Sequence, residues 1–252
     1  MMKKILILLA FVVFVVSCAS KNPNEMSAEQ LLSYGLNAFE QADYDEAAKY
    51  FEKSIMKADT PEIAAKAQLF LGNSYFIMGD FAQAIPSYEQ YLDLYEGTKE
   101  EKRVIFRLAS SYYKIIQSID RDQSNTKEAL KYFEKLRQKF PAYAHEKGVD
   151  DTIRKLRNRL AEKEMYVAEF YFRIGKDEAA EKRLKYILEN YQDTEVYCKA
   201  ALKYSEYLIE KGKKTNVAVA YLKNVLQQNN DKEYLERASE ILKKLESNVS
   251  SE

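Results

Sequence analysis

The sequence predicts an all-α protein, an α-solenoid of about five helix hairpins closed by a C-terminal capping helix. Three observations carry that prediction. Small residues recur in a fixed register, with Gly35, Gly72, Ala109, Ala168 and Ser205 standing 37, 37, 59 and 37 residues apart. Downstream of each comes an alanine followed four residues later by a large apolar residue: Ala47/Phe51, Ala84/Tyr88, Ala129/Phe133, Ala180/Leu184 and Ala218/Leu222. Four residues is about one helical turn, so each pair shares a face. Hydrophobic residues make up 46% of the chain, with only 7 Gly and 4 Pro in 252 residues, a composition that suits helices. A unit of this length cannot bury its apolar face alone. Its copies have to stack, and the usual product is a binding surface rather than a catalyst.

Taken in order, residues 1–17 are of another kind. Lys3 and Lys4 precede twelve apolar residues, Ile5 to Val16, followed by Ser17, Cys18, Ala19 and Ser20. Twelve residues are too few to cross a bilayer as a helix, and the basic start with small residues at the break predicts a signal peptide. Val15-Val16-Ser17-Cys18 is similar to a bacterial lipobox, in which the cysteine is acylated and becomes the mature N-terminus. An uncleaved signal anchor is the other reading. Cys18 is thus the expected lipidation site, carrying a covalent lipid with no other cofactor. Residues 18–27 form a lipidated tether that anchors the chain to a membrane without spanning it. By resemblance to lipoprotein sorting in double-membraned bacteria, Ala19 after the cysteine implies the outer membrane, at its periplasmic face.

A single solenoid is expected over 28–246, with repeats near 28–61, 65–98, 102–141, 151–193 and 195–230. Ser27 with Gln30, Asp43 with Glu46 and Asn125 with Glu128 have capping-box spacing, and Thr60-Pro61 fits an N-cap followed by proline at the first helical position. Tyr234, Leu235, Ala238, Ile241, Leu242 and Leu245 give one more amphipathic helix, a cap over 231–246. The polar tail, 247–252, is expected to fray. Tyr34-Gly35, Leu71-Gly72 and Leu108-Ala109 on first helices, each followed by the alanine pair on a second, resemble the tetratricopeptide repeat, most closely over 28–61. Where two antiparallel helices cross closely, only Gly, Ala or Ser lets the backbones approach, so the motif marks packing rather than function. Cys198 likewise reads as a small helix-packing residue.

The 59-residue interval exceeds its neighbours by 22, of which 8 residues fall around Ser118 to Asn125, polar and turn-prone, a loop insertion. The other 14 lie between Ala129 and Ala180, where Ile153, Leu156, Leu160, Val167, Phe170 and Ile174 continue one apolar stripe broken at Lys163. They predict a first helix of repeat four starting near Asp151 and running about 23 residues, on the order of 35 Å. Asp120-Arg-Asp-Gln, Ala129-Leu-Lys-Tyr-Phe, Lys139-Phe-Pro, Leu156-Arg-Asn-Arg-Leu-Ala161, Tyr166-Val-Ala-Glu-Phe-Tyr171 and Gly175 resemble the BamD family of outer-membrane protein assembly lipoproteins. The resemblance covers most of the chain and is strongest from about 104 to 195. Lys57-Ala-Asp-Thr-Pro61, Tyr95-Glu-Gly-Thr98 and Tyr191-Gln192 depart from the aromatic-proline pairs usual at that family's helix ends.

The resemblance implies a non-catalytic scaffold of the machinery that folds β-barrel proteins into the outer membrane. Its partners would be a BamA-like barrel subunit, unfolded β-barrel outer-membrane proteins and other assembly lipoproteins. In the repeat family the concave wall is lined by first-helix positions flanking the small residue. By register these are Leu32, Leu36 and Phe39, then Leu69, Asn73 and Phe76, then Phe106, Ser110 and Tyr113, an apolar, aromatic groove for substrate C-terminal segments. The same spacing also suits plain burial in the core. Arg154, Lys155, Arg157, Arg159 and Lys163 make one side of the long helix basic. Arg159, Glu164 and Tyr166, which match the family motif, are candidate contacts or orienting residues for the barrel subunit. A solvated helix face reads from the same charges.

Catalysis finds no support. The one histidine, His145, sits in an expected linker after Pro141, and HExxH, P-loop and GxSxG patterns are absent. No metal site is expected. Basic and acidic residues balance at 39 each, leaving no cationic field for nucleic acid. The rival function is another repeat lipoprotein of the envelope, scaffolding a secretion pore or peptidoglycan enzymes.

Overall fold

A computed structural model describes residues 25–212, 214–228 and 231–249. The expected signal peptide, Cys18 and the tether through Asn24 lie outside the described residues, as do 250–252 of the tail. Among the described residues there are helices and no strands: α1 (Ala28–Glu40), α2 (Tyr44–Lys57), α3 (Pro61–Met78), α4 (Phe81–Leu94), α5 (Glu101–Lys114), α6 (Ser124–Lys139), α7 (Pro141–Glu146), α8 (Val149–Arg173), α9 (Asp177–Asn190), α10 (Val196–Glu210), α11 (Thr215–Gln228) and α12 (Lys232–Val249). Five hairpins pair α1 with α2, α3 with α4, α5 with α6, α8 with α9 and α10 with α11, and α12 closes the last on α10 and α11. This is the all-α tetratricopeptide-repeat solenoid.

The register works by sterics. All five small residues are buried, and a Cβ on Gly35 would stand 2.6 Å from the Phe51 ring, one on Gly72 2.7 Å from the Tyr88 ring. The glycine on the first helix and the ring on the second are therefore one device. Because Tyr88 is wholly buried, its ring has nowhere to retreat. Gly72→Ala is accordingly expected to destabilise. Overpacking of about 1–3 kcal/mol outweighs the roughly 1 kcal/mol that alanine gains over glycine in a helix interior. Urea unfolding checks this, and a variant more stable than the parent would refute it.

A second device joins neighbouring hairpins. The Tyr75 hydroxyl donates to Glu52 at 2.6 Å and the Tyr112 hydroxyl to Glu89 at 2.6 Å, each tyrosine standing 23 residues after its glutamate. Burial first, then the carboxylate, pushes both phenols well above their ordinary range, so these bonds persist at any physiological pH.

Local starts follow the sequence in part. Ser27 and Gln30 form the full capping box, Asp43 accepts from the Glu46 N–H, and Thr60 caps α3 with Pro61 in its first turn. The Asn125 cap is corrected. Helix α6 begins at Ser124, two residues before an Asn125 cap would start it, and Asn125 Nδ2 instead donates to the Ile115 carbonyl, tying the helix to the loop before it. Repeat two starts at Pro61, not 65. The stretch holding His145 is not a linker but α7, and the 14-residue surplus is shared between it and α8. Helix α8 starts at Val149 and runs 25 residues, about 37 Å at 1.5 Å per residue. The cap continues past 246 to Val249, taking in the first residues of the expected tail.

The apolar stripe of α8 is also corrected. Ile153, Leu156 and Leu160 are buried, but Phe170 and Ile174 are 45% and 47% exposed. Steps of three and four from 153 to 174 average 3.5 residues, and a straight helix turns every 3.6, so the stripe drifts about 20° per heptad off the core. Ala161, Met165 and Ala168 take over the buried face.

Candidate functional site

Two surfaces carry the expected residues. The first is a cleft of about 570 Å³ between α3 and α5, roofed by the α4–α5 connection at Thr98 to Glu100. Of the predicted groove, Leu69 and Asn73 line it. Its walls are more cationic than the apolar groove expected, because Lys66, Lys99, Arg103 and Arg107 line it against the two acids Glu62 and Glu100. Arg103 is already paired with Glu100 at 3.0 Å. Arg107 is fixed differently: its guanidinium donates to Asn73 Oδ1 and lies over the Phe76 ring, 5.7 Å from the centroid. Asn73 Oδ1 also accepts the Tyr88 hydroxyl at 2.9 Å, and burial pushes that phenol far up. A buried polar chain from Tyr88 through Asn73 thus aims one arginine at the cleft.

The remaining groove residues are dispersed. Phe39 stands edge-on to Phe70 and Tyr44, and Leu36 packs on the same core, between the first and second repeats. Phe76 meets Phe81 and Tyr88 below Arg107. Phe106 packs against Phe133 and Tyr143 inside the third repeat, and the Ser110 hydroxyl turns back to the Phe106 carbonyl at 2.7 Å. Leu32 is buried. Tyr113 is 39% exposed, and it lines a different hollow, with Arg159 and Leu156 of α8. The cleft cations are present in the register. Lys66 and Arg103 are 37 residues apart, as are Phe70 and Arg107, each close to a position already assigned to the groove.

The second surface is α8 with the insertion before α6. Arg159 donates to the Gln117 carbonyl and, at 3.3 Å, to Gln123 Oε1, and Lys163 donates to the Asp120 carbonyl at 3.1 Å. Buried Gln123 gathers the loop from within, its amide nitrogen bonding the Ser118 and Arg121 carbonyls at 3.0 and 3.2 Å. Loop and long helix, separate features of the sequence, are one unit. Arg157 forks onto Asp193 at 2.7 and 2.6 Å, and this hydrogen bonding holds the Asp193 carboxyl below the usual carboxylate range. Glu164 accepts from Arg183 at 2.8 Å. Arg157, Arg159 and Lys163 of the expected basic side are therefore turned to internal partners, and Arg154 to Asp151 at 3.0 Å.

Tyr166 is presented outward, 41% exposed, and one turn on comes Phe170, with Ile174 a turn beyond. Drift of the stripe has turned core-type residues into a surface ridge. No described helix is long and apolar enough to cross a membrane.

A family model described as YfiO, outer membrane lipoprotein, matches residues 24–221. The chain is similar to the outer membrane protein assembly factor BamD of Caulobacter vibrioides, 26% identical over 71% of this chain and 61% of that protein, so it spans less than two thirds of that relative's length. It is similar to the protein of the same name from Neisseria gonorrhoeae, 25% identical over 90% of this chain and 91% of that one. Among solved structures, a thermophilic tetratricopeptide-repeat protein of Thermus thermophilus is 17% identical, covering 86% of this chain and 99% of its own, with a TM-score of 0.35.

Proposed function

The chain belongs to the YfiO family of outer membrane lipoproteins, and from that premise we propose that it is a non-catalytic scaffold for assembling β-barrel proteins into the outer membrane. The observation that carries this is the family match itself. Running from 24 to 221, it takes in the loop insertion and the long helix that set this solenoid apart from ordinary repeats. The protein is held to the periplasmic face of the outer membrane by a lipid on Cys18. Its first three repeats receive unfolded substrates at the α3–α5 cleft, where Leu69 and Asn73 line the wall and Phe76 backs Arg107. The barrel subunit docks on the α8 ridge around Tyr166, while Arg159 and Glu164 hold the ridge in place through the loop and through Arg183.

Capture with the tagged full chain from detergent-solubilised envelopes tests the reading. Recovery of a large barrel protein with periplasmic repeats supports it. Recovery of a secretin or of wall synthases in its place sinks it.

A further inference from the structure

We propose that one edge of the first two repeats rests on the lipid surface to which the chain is anchored, with Met56 and Leu94 entering it. This rests on the lipid on Cys18 proposed above, and says which edge of the solenoid that lipid turns to the membrane. Among the described residues these are the two most exposed large apolar side chains, at 77% and 61%. Both stand at the same place in the repeat, Met56 in the last turn of α2 and Leu94 at the end of α4. Because α1 to α4 pack as successive antiparallel neighbours, the ends of α2 and α4 share the edge where α1 and α3 begin.

The tether arrives at that edge. Ser54 Oγ donates to the Ala28 carbonyl at 2.8 Å and Lys57 Nζ to the Met26 carbonyl at 2.9 Å, and Met26 itself is buried, so the chain is pinned to the end of α2. Only residues 19–25 separate this pin from Cys18, and from Cys18 to Met26 a chain spans at most roughly 28 Å. The opposite edge, where α2 begins, lies roughly 20 Å farther along the helices. Met56 is thus among the side chains that the anchor brings nearest to the bilayer. Two side chains are too little to hold a protein on a membrane from solution, since even one acyl chain binds only marginally. Beside an anchor they have only to orient a chain already there, because the tether makes the contact intramolecular. The charges around them are mixed in sign, with Lys53, Lys57 and Asp59 beside Met56 and Asp93, Glu96 and Lys99 beside Leu94. The contact is therefore apolar, and salt leaves it in place.

The chain has no tryptophan, so Met56→Trp or Leu94→Trp gives it a single reporter. Ile77→Trp, at a 45% exposed position near the end of α3 on the opposite edge, is the control. Each acylated full chain is reconstituted in vesicles of phosphatidylethanolamine and phosphatidylglycerol, with or without brominated acyl chains, and circular dichroism confirms its folding. Bromine should quench the Met56→Trp and Leu94→Trp chains about twofold or more, with emission shifted to the blue, for side chains about 5–10 Å inside the headgroup boundary. High salt should leave this unchanged, and the Ile77→Trp chain should stay unquenched. Equal quenching of all three overturns the choice of edge. Quenching of none, in protein that floats with the vesicles, overturns the contact and leaves the anchor standing. Quenching that disappears in high salt overturns the apolar contact in favour of headgroup attraction. Blue-shifted emission without quenching overturns it in favour of a protein occupant, a second copy included. Protein that does not float with the vesicles removes the lipid on Cys18, and the proposal with it.

Discussion

Tyr88→Ala is expected to remove about 3–5 kcal/mol of stability, the cost of deleting a fully buried aromatic ring, and to lower the melting temperature by roughly 6–20 °C for a chain of this size. The ring is wholly buried and fills the space that Gly72 leaves open, so its loss leaves a void walled by glycine, which cannot close it. The hydroxyl adds a second consequence. It is one of the two donors on Asn73 Oδ1, the other being Arg107. Tyr88→Phe separates the two effects by keeping the ring and removing one hydrogen bond, about 1 kcal/mol. In a solenoid, contacts run only between neighbours, so the loss falls on repeats two and three and the unfolding transition is expected to broaden as well as shift. Superimposable thermal melts of Tyr88→Ala and the parent would show that the glycine-ring device does not hold the hairpin together.

The second large effect is expected in binding. Tyr166→Ser with Phe170→Ser should weaken association with the periplasmic part of the barrel subunit about 30-fold or more, since a buried aromatic anchor at an interface contributes about 2 kcal/mol or above. Both side chains are exposed by more than 40%, so helix content and melting should stay close to the parent's. The discriminating partner is Arg183→Gln, which removes the ion pair on Glu164 without touching the ridge. It should weaken association only slightly. Unchanged affinity in the folded double variant would remove the ridge as the docking face.

Much of the fold is legible in the residues themselves, for reasons that differ from place to place. The positions of Gly35, Gly72 and Ala109 stand out because close helix crossings admit few residue types, so sterics write themselves into the sequence. Long periodic helices are legible for a similar reason. Helix α7, with six residues, is too short for a period to be seen, and Pro141 before His145 looks the same in a turn as at a helix start. The exposure of Phe170 and Ile174 is hidden because steps of three and four do not separate a 3.5-residue period from a 3.6-residue one. The difference shows only after several turns, at the far end of α8. Asn125 has the spacing of a cap, yet its amide serves the preceding loop.

The cationic cleft is the instructive case. Leu69 and Asn73 are reached by carrying family positions along the register. Lys66, Arg103 and Arg107 stand in that same register, but nothing in their spacing separates them from other surface charges. Solvent-facing cations at one repeat interval look ordinary until two helices are known to face each other. Only the third dimension distinguishes Arg107, whose guanidinium is aimed by Asn73, from Arg103, which is spent on Glu100.

The way α8 holds the inserted loop sets what can vary there. Arg159 and Lys163 grip the carbonyls of Gln117 and Asp120, and Gln123 grips those of Ser118 and Arg121. Main-chain oxygens are the same whatever side chain they belong to, so the segment's side chains at 117, 118, 120 and 121 are free of this holding task as long as Gln123 and the two cations stay. Its length has no such freedom, because one residue more or fewer would move every carbonyl away from its donor.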